Sequence, residues 1–447
     1  MSNQSNRRRF LKTTAMTGIG FWLAGNASSA EEAQPKVERS PNERIAFACI
    51  GVDGMGANDS AAAAKAGDVV AICDVDEQKL NVAGERRFPK AKRYTDFRKM
   101  LEEMAGSIDA VTVSTPDHIH APAALMAMRL GKHCYCQKPL TRTIYEARLM
   151  TQVAKEKKLA TQMGNQFTAH DDLRKAAAII QSGVLGAVSE VHTWTNRPIW
   201  PQGIERPQPS PCPEYLHWDL WLGPSPERPY APGYHPMVWR GWWDFGTGAL
   251  GDMACHIVNM SYMALNLRNP VAVQAETSGH NKDSFPKWSI ITYEFAALEN
   301  RPALKLFWYD GGKRPADELF EGKPVSTNGC LIVGEKGKLY WPYDGTGPDI
   351  HVLGNIQLPE VKWVHSPGHY EEWFRAIRGG EAPVSNFADY SGTLTEVCLL
   401  GNLAVWVAAS GQGERLEWDA ANMRVSNVSG LEHLIKPTYR SGYTLDV

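Results

Sequence analysis

The chain has 447 residues and carries 47 lysines and arginines against 49 acidic residues, a formal net charge of −2. That length exceeds one ordinary domain and predicts two folded units. The balanced charge lacks the basic excess of a nucleic-acid-binding protein, so no nucleic-acid partner is expected.

Residues 7–12 read RRRFLK, an apolar run extends to about Gly25, and Ala27-Ser28-Ser29-Ala30 precede Glu31-Glu32. A basic start, a short apolar stretch and a small-residue cleavage site together make a secretory signal over residues 1–30. The Arg7-Arg8 pair before Phe10-Leu11-Lys12 resembles the twin-arginine type. Cleavage is expected after Ala30. The apolar run is too short to span a bilayer and no later segment is long enough, so a periplasmic or otherwise exported protein without stable membrane insertion is expected. A basic disordered tail is the bland alternative and fits this layout poorly. Residues 31–43 read as a polar, proline-containing linker.

The first folded unit, 44–164, opens with RIAFACIGVDGMGANDSAAAAKAGDVVAICDVD. An apolar run of strand length, a glycine-rich turn, an alanine-rich helix and a second buried strand follow one another. This order fits a dinucleotide-binding unit in which the backbone nears a pyrophosphate at a helix N-terminus. The turn Gly51, Asp53, Gly54, Met55 and Gly56 is the expected cofactor cradle. Its pattern calls for glycine at 51, 53 and 56, and Asp53 breaks it. An acid there repels a pyrophosphate unless its side chain turns outward or Gly54 takes over the close approach. Asp74, 23 residues beyond Gly51, is placed to bond an adenosine ribose. Its charge would repel a 2′-phosphate, so NAD is expected rather than NADP.

YTDFRKMLEE then reads as an amphipathic helix, and the next segment as strand, loop, helix, strand and loop. Ser114, Thr115, Pro116 and His118 follow a strand end, where such sheets bind ligands, and are expected to line the cofactor. His118 and His120 make an H-x-H pair, for which a cofactor-lining or capping role outweighs metal binding. Gln137 and Lys138 end another strand. A lysine there is ordinarily a surface residue, but Pro139 fixes the turn beyond it and argues for one aimed at a site. Eight cysteines in an exported protein invite a disulfide reading. Cys49 and Cys73 in strand runs, Cys255 in a helix and the Cys134/Cys136 pair on one strand read instead as buried free thiols. No metal site is expected, because that pair lacks a second pair of ligands.

From residue 165 to 447 the pattern changes to a second unit. DDLRKAAAIIQSGVLG reads as a helix ended by glycine and AVSEVHTWTNRP as an alternating strand. Residues 198–236 hold 11 prolines, which excludes regular structure and suggests a functional lid, while the interleaved tryptophans argue against disorder. Seven of the 15 tryptophans fall between 194 and 243. By the bland reading they form a core for the loop. By the functional one they wall a sugar ring, with Arg197 or Arg240 bonding its hydroxyls or a carboxylate. Asn165, Arg197, Trp239 and Arg240 are the substrate-side candidates.

GTGALGDMACH, residues 246–256, puts Asp252 and His256 on one helix face. That spacing suits a general acid/base pair or a buried structural hydrogen bond. Gly246, Gly248 and Gly251 are expected to keep bulk away from a ligand. SIITYEF, ALKLFWYD and GCLIVGEKGKLYW read as strands, and GHYEEWFRAIRGG and TLTEVCLLGNLAVWVA as closing helices.

The glycine turn, STPDHIHA, CQKPLT and GALGDMACH, in this order and at these separations, resemble the glucose–fructose oxidoreductase / inositol dehydrogenase family (Gfo/Idh/MocA). The resemblance implies an α/β fold: an N-terminal Rossmann domain with a doubly wound parallel sheet, and a C-terminal α/β domain with a large open, mainly antiparallel sheet often used for homo-oligomer contacts, here a dimer or tetramer. In that family the lysine of an E-K-P motif faces the nicotinamide, which maps onto Lys138, with Gln137 replacing the usual glutamate. The family's D-x-x-x-H pair maps onto Asp252 and His256. The resemblance therefore implies an NAD-dependent oxidoreductase acting on a sugar, polyol or glycoside, with Lys138, Asp252 and His256 catalytic and Asp252 orienting His256. Its rivals are glycosidic cleavage through transient oxidation with no net redox, and a secreted carbohydrate-binding protein whose cofactor site has decayed.

Overall fold

Six short strands rich in apolar residues form one parallel sheet: β1 (Ile45–Ile50), β2 (Gly67–Cys73), β3 (Lys92–Tyr94), β4 (Ala110–Val113), β5 (His133–Gln137) and β6 (Thr161–Gly164), in the order β3-β2-β1-β4-β5-β6. The computed structural model describes residues 44–343 and 350–445, so the expected signal and linker lie outside the described residues. Alternate strand residues enter two different cores, as the two-residue period of a strand requires. Ala48, Ile50, Val111 and Val113 pack on the side of α3 (Phe97–Met104), α4 (Asp117–Arg129) and α5 (Ile144–Lys157). Phe47, Cys49 and Tyr135 pack on the side of α1 (Met55–Ala66) and α2 (Glu77–Arg86). With both faces covered, the strands read as continuous apolar runs.

The second unit begins with α6 (Asp171–Gln181) and β7 (Val188–Trp194). It continues through α7 (Trp218–Leu222), α8 (Gly248–Ile257) and α9 (Asn259–Leu265) to β8 (Ala272–Thr277), β9 (Ser289–Phe295), β10 (Leu304–Tyr309), β11 (Gly329–Gly334), β12 (Lys338–Pro342) and β13 (His351–Leu353). Helices α10 (His369–Ile377) and α11 (Gly392–Val407) and strands β14 (Leu416–Asp419) and β15 (Arg424–Val425) complete it. The nine strands run in the order β13-β12-β11-β7-β10-β9-β8-β14-β15. Only β7 and β10 are parallel neighbours among them. Along β9 buried residues alternate with half-exposed ones. One face therefore meets the helices, while the other is half-exposed along β9 and covered by Phe320 where it carries Trp194, Leu331 and Tyr340.

Two findings refine the sequence reading. Helix α10 crosses back onto the first sheet, where Trp373 and Phe374 join the core of Phe47, Ala62 and Ile72. The proline-rich loop is ordered around an aromatic core in which its Trp221 and Tyr234 meet Trp242 and Phe245, and it contains the five-residue α7. Trp218 stacks on Trp221 with ring centroids 4.7 Å apart. All eight cysteines are free thiols and seven are buried. Among the described residues no helix is long and apolar enough to cross a membrane.

Candidate functional site

The turn between β1 and α1 has the shape a pyrophosphate needs. Gly51 lies at φ +78°, and a Cβ there would strike the Ser114 carbonyl oxygen. A Cβ on Gly56 would strike the Gly51 carbonyl oxygen, so only glycine lets α1 start this close to the strand. Gly54, at φ +55° with open space around its Cα, caps α1 without a side chain and leaves the helix start to a ligand. Asp53 takes the outward course: its side chain is exposed and pairs with Lys79 at 3.3 Å. A cation therefore offsets the charge that would otherwise repel a pyrophosphate at this turn. Met55 is exposed at the helix start. Asp74 is half-buried at the end of β2, accepting from the Asp76 and Val52 backbone N–H groups at 3.0 and 3.2 Å.

Ser114, Thr115 and Pro116 remain half-exposed beyond β4. His118 is not exposed to a cofactor. Its ring is fully buried between Trp221 and Phe245, with Nε2 2.8 Å from the Trp221 carbonyl oxygen and Nδ1 3.2 Å from that of Phe245. Burial pushes its pKa down to about 3. Its place is structural, because the loop's aromatic core closes over it. His120 ties two loops together, lying 2.9 Å from both the Pro139 and the Thr115 carbonyl oxygens. Gln137 is buried, its amide donating to Asp59 at 2.9 Å. Asp59, buried on α1, also accepts from the Ser114 and Tyr370 hydroxyls, both at 2.7 Å. Burial raises the Asp59 carboxyl against these bonds.

Lys138 leaves the end of β5 and reaches the second unit. Its Nζ donates to the Asp252 carbonyl oxygen and to Asp252 Oδ1, each at 2.8 Å. Arg240 Nε lies 3.5 Å from the same carboxylate oxygen and Arg197 Nε 3.7 Å from Oδ2. Burial alone would raise the Asp252 carboxyl, but the Lys138 and Arg240 charges hold it well below the usual carboxylate range. Arg240 also meets Asp117, buried at the start of α4, at 3.4 Å and lies over the Trp239 ring at 4.3 Å. Asp117 accepts from the Thr247 hydroxyl at 2.6 Å. Arg240 and Trp239 thus brace the carboxylate.

His256 lies one turn beyond Asp252 on α8, and among the described hydrogen bonds none joins the two. The expectation that Asp252 orients His256 is therefore corrected: the carboxylate is taken by Lys138 and two arginines. Burial, then the Lys138 charge, pushes the imidazole down to about 3, so it is neutral. Its Nδ1 is buried without a partner. Phe167 meets the ring edge to face at 6.0 Å and Tyr343 stacks at 6.2 Å. Asn165 is sealed beneath, its amide donating to the Cys255 carbonyl oxygen at 2.5 Å, so it holds α8 in place and does not reach a substrate. The three glycines serve packing: Cβ atoms would strike the Arg240 backbone from Gly246, Phe285 from Gly248 and Thr247 from Gly251.

A family model described as the NAD-binding Rossmann fold of an oxidoreductase family matches residues 45–165, and one described as its C-terminal alpha/beta domain matches 169–445. The chain belongs to the Gfo/Idh/MocA oxidoreductase family. The family's cofactor domain is thereby assigned, and the glycine cradle and Asp74 fit NAD. Among its relatives, a glycosyl hydrolase family 109 protein of Shewanella pealeana is 28% identical over 200 residues, 40% of this chain and 44% of the relative. A levoglucosan dehydrogenase of Pseudarthrobacter phenanthrenivorans is 25% identical over 183 residues, 41% and 39% of the two chains. The matches thus span less than half of these relatives. The solved WlbA dehydrogenase of Bordetella pertussis, in complex with NADH and UDP-GlcNAcA, shares the fold with a TM-score of 0.58 at 18% identity, covering 84% of this chain and 99% of that one.

Asp59, Asp117 and Tyr343 were not singled out by the sequence. Asp117 stood inside STPDHIHA, where its helix-starting position was a usable signal. Tyr343 carried none.

Proposed function

We propose that the protein is an exported, NAD-dependent oxidoreductase acting on a hydroxyl of a sugar, polyol or glycoside. The observation that carries this reading is the Lys138–Asp252 contact, which joins the end of a cofactor-sheet strand to the helix bearing His256. When bound, NAD supplies the hydride acceptor and donor at its nicotinamide.

The protein's own groups divide the remaining work. An ammonium has three donors, and Lys138 uses two on Asp252; the third is available to the reacting oxygen and stabilises it as it becomes an oxyanion. Neutral His256 exchanges the hydroxyl proton. Phe167 and Tyr343, against His256, give an apolar face for a sugar ring.

An enzyme outside the cytoplasm has no free NAD pool, so the cofactor is retained and oxidation alternates with reduction. Supporting retention, the proline-rich loop pairs with the chain just after Asp74. Glu77 N–H donates to the Tyr215 carbonyl at 2.9 Å, His217 N–H to that of Val75 at 3.0 Å, and His235 meets Asp76 at 3.2 Å. The test is a panel of sugars and glycosides followed by bound-NADH absorbance, with export followed by fractionating cells expressing the full chain. Protein that releases no NAD(H) on denaturation overturns retention, and a normal turnover in Lys138→Ala overturns the site.

A second reading draws on the glycosyl hydrolase family 109 relative. Transient oxidation at this site, elimination of the aglycone, addition of water to the resulting enone and re-reduction would cleave a glycoside with no net redox. Release of the aglycone without accumulating NADH distinguishes it.

A further inference from the structure

Lys138, Arg197 and Arg240 all converge on Asp252, at 2.8, 3.7 and 3.5 Å. Among the described residues, the only other carboxylate paired with any of the three is Asp117, 3.4 Å from Arg240. Three fixed cations therefore share two carboxylates, and His256, being neutral, changes nothing in that balance. The oxidised nicotinamide ring adds one more positive charge whenever it is present.

The surplus falls on Arg197. Lys138 makes two short bonds to Asp252, and Arg240 is braced by two carboxylates and the Trp239 ring. Arg197 has one long contact with Asp252 and a 2.6 Å hydrogen bond to the neutral Asn196 side chain. It is the most exposed of the three, its side chain 27% accessible against 14% for Lys138 and 19% for Arg240. Its backbone is nonetheless held just beyond β7. The Thr195 hydroxyl accepts its N–H at 3.3 Å and the Gly311 N–H donates to its carbonyl at 2.6 Å. A guanidinium held this way, with donors to spare beside a reacting centre, matches a planar carboxylate.

We infer that the substrate is an acidic sugar, a uronic or aldonic acid, whose carboxylate is bound by Arg197. The inference rests on the reading that this site takes a sugar hydroxyl, and it narrows that class. The carboxylate neutralises the surplus charge and fixes which hydroxyl meets Lys138 and His256.

The experiment compares matched pairs on the purified protein with its cofactor: glucose with glucuronate, galactose with galacturonate, the methyl glycosides of these, and glucitol with gluconate. Nicotinamide absorbance reads the rate at which each sugar reduces the bound cofactor, and thermal shift reads binding. The acid should exceed its neutral partner by roughly 10- to 100-fold in the second-order rate constant of that reduction, the scale of one charge-assisted hydrogen-bonded pair. Arg197→Gln should collapse that ratio and Arg197→Lys should keep part of it. Neutral sugars turned over as well as their acids overturn the inference and leave the oxidoreductase reading standing. Acids that stabilise the protein through Arg197 without changing the nicotinamide leave the inference standing and overturn hydride transfer. If no acid either binds or reacts, the inference is wrong.

Discussion

Lys138 and Asp252 meet twice, once through the Asp252 carboxylate and once through its backbone carbonyl, both at 2.8 Å. The lysine thus senses both the side chain and the helix that carries it, so movement of α8 against the cofactor sheet changes the donor left for substrate.

Replacing Lys138 by Met keeps its length and removes its charge. The reacting oxygen loses its donor, and kcat should fall roughly 10²- to 10³-fold, as for the loss of an oxyanion donor. Asp252 keeps Arg197 and Arg240, so folding should survive. Steady-state turnover beside a melting curve separates the two effects.

His256→Ala should lower kcat by roughly 10²- to 10⁴-fold, the usual contribution of a positioned proton-transfer group. Added imidazole should restore part of that loss if the ring acts through proton exchange. A purely packing role would show as a lowered melting temperature with no imidazole rescue.

Gln137→Glu would set a second carboxylate beside buried Asp59, at the present 2.9 Å donor–acceptor separation. One of the two must then keep its proton, so its folded-state pKa rises above the unfolded value. The stability this group lends is present at low pH and lost as pH rises. The variant should melt several degrees below the parent near neutrality and recover on acidification. Adding Asp59→Asn should restore it.

Acid should also destabilise the parent. Burial pushes His118, His256 and His369 to about 3, below the unfolded value of about 6.5. The unfolded chain then binds protons the folded one refuses, so stability is full above about pH 6.5 and declines as pH falls toward 3. Asp310, raised by burial to about 6, and Asp59, Asp74 and Glu146, also raised by burial, work in the opposite direction over part of that range, but burial lowers His120, His192, His235 and His280 as well, so lowered histidines outnumber raised carboxyls. Melting temperature should therefore drop steadily from pH 7 to pH 5; a flat profile would refute this balance.

The Rossmann unit was legible because buried parallel strands and a glycine turn leave local marks: an apolar run, closely spaced glycines, an acid at a fixed distance. Lys138 and Asp252 were legible as motifs, though not their contact, since 114 residues separate them. The errors at His118, Gln137 and Asn165 share one cause. Each stands beside a strand end where such sheets are expected to bind ligands, yet its own side chain is buried against partners far along the chain. Asp252 and His256 show the same limit: i,i+4 spacing places two groups on one face without making them bond, and three cations outcompeted the imidazole.

The proline-rich loop has one more consequence. Arg197 before it and Trp239 and Arg240 just beyond it gather around Asp252, while its middle is fastened to the chain just after Asp74. A dinucleotide enclosed by that strap would outlast each sugar that visits it. Donor and acceptor sugars would then have to take turns in a single chamber, each leaving before the other enters. Two-substrate kinetics on such a protein would give parallel double-reciprocal lines, the signature of a ping-pong exchange in which the enzyme itself carries the electrons from one sugar to the next.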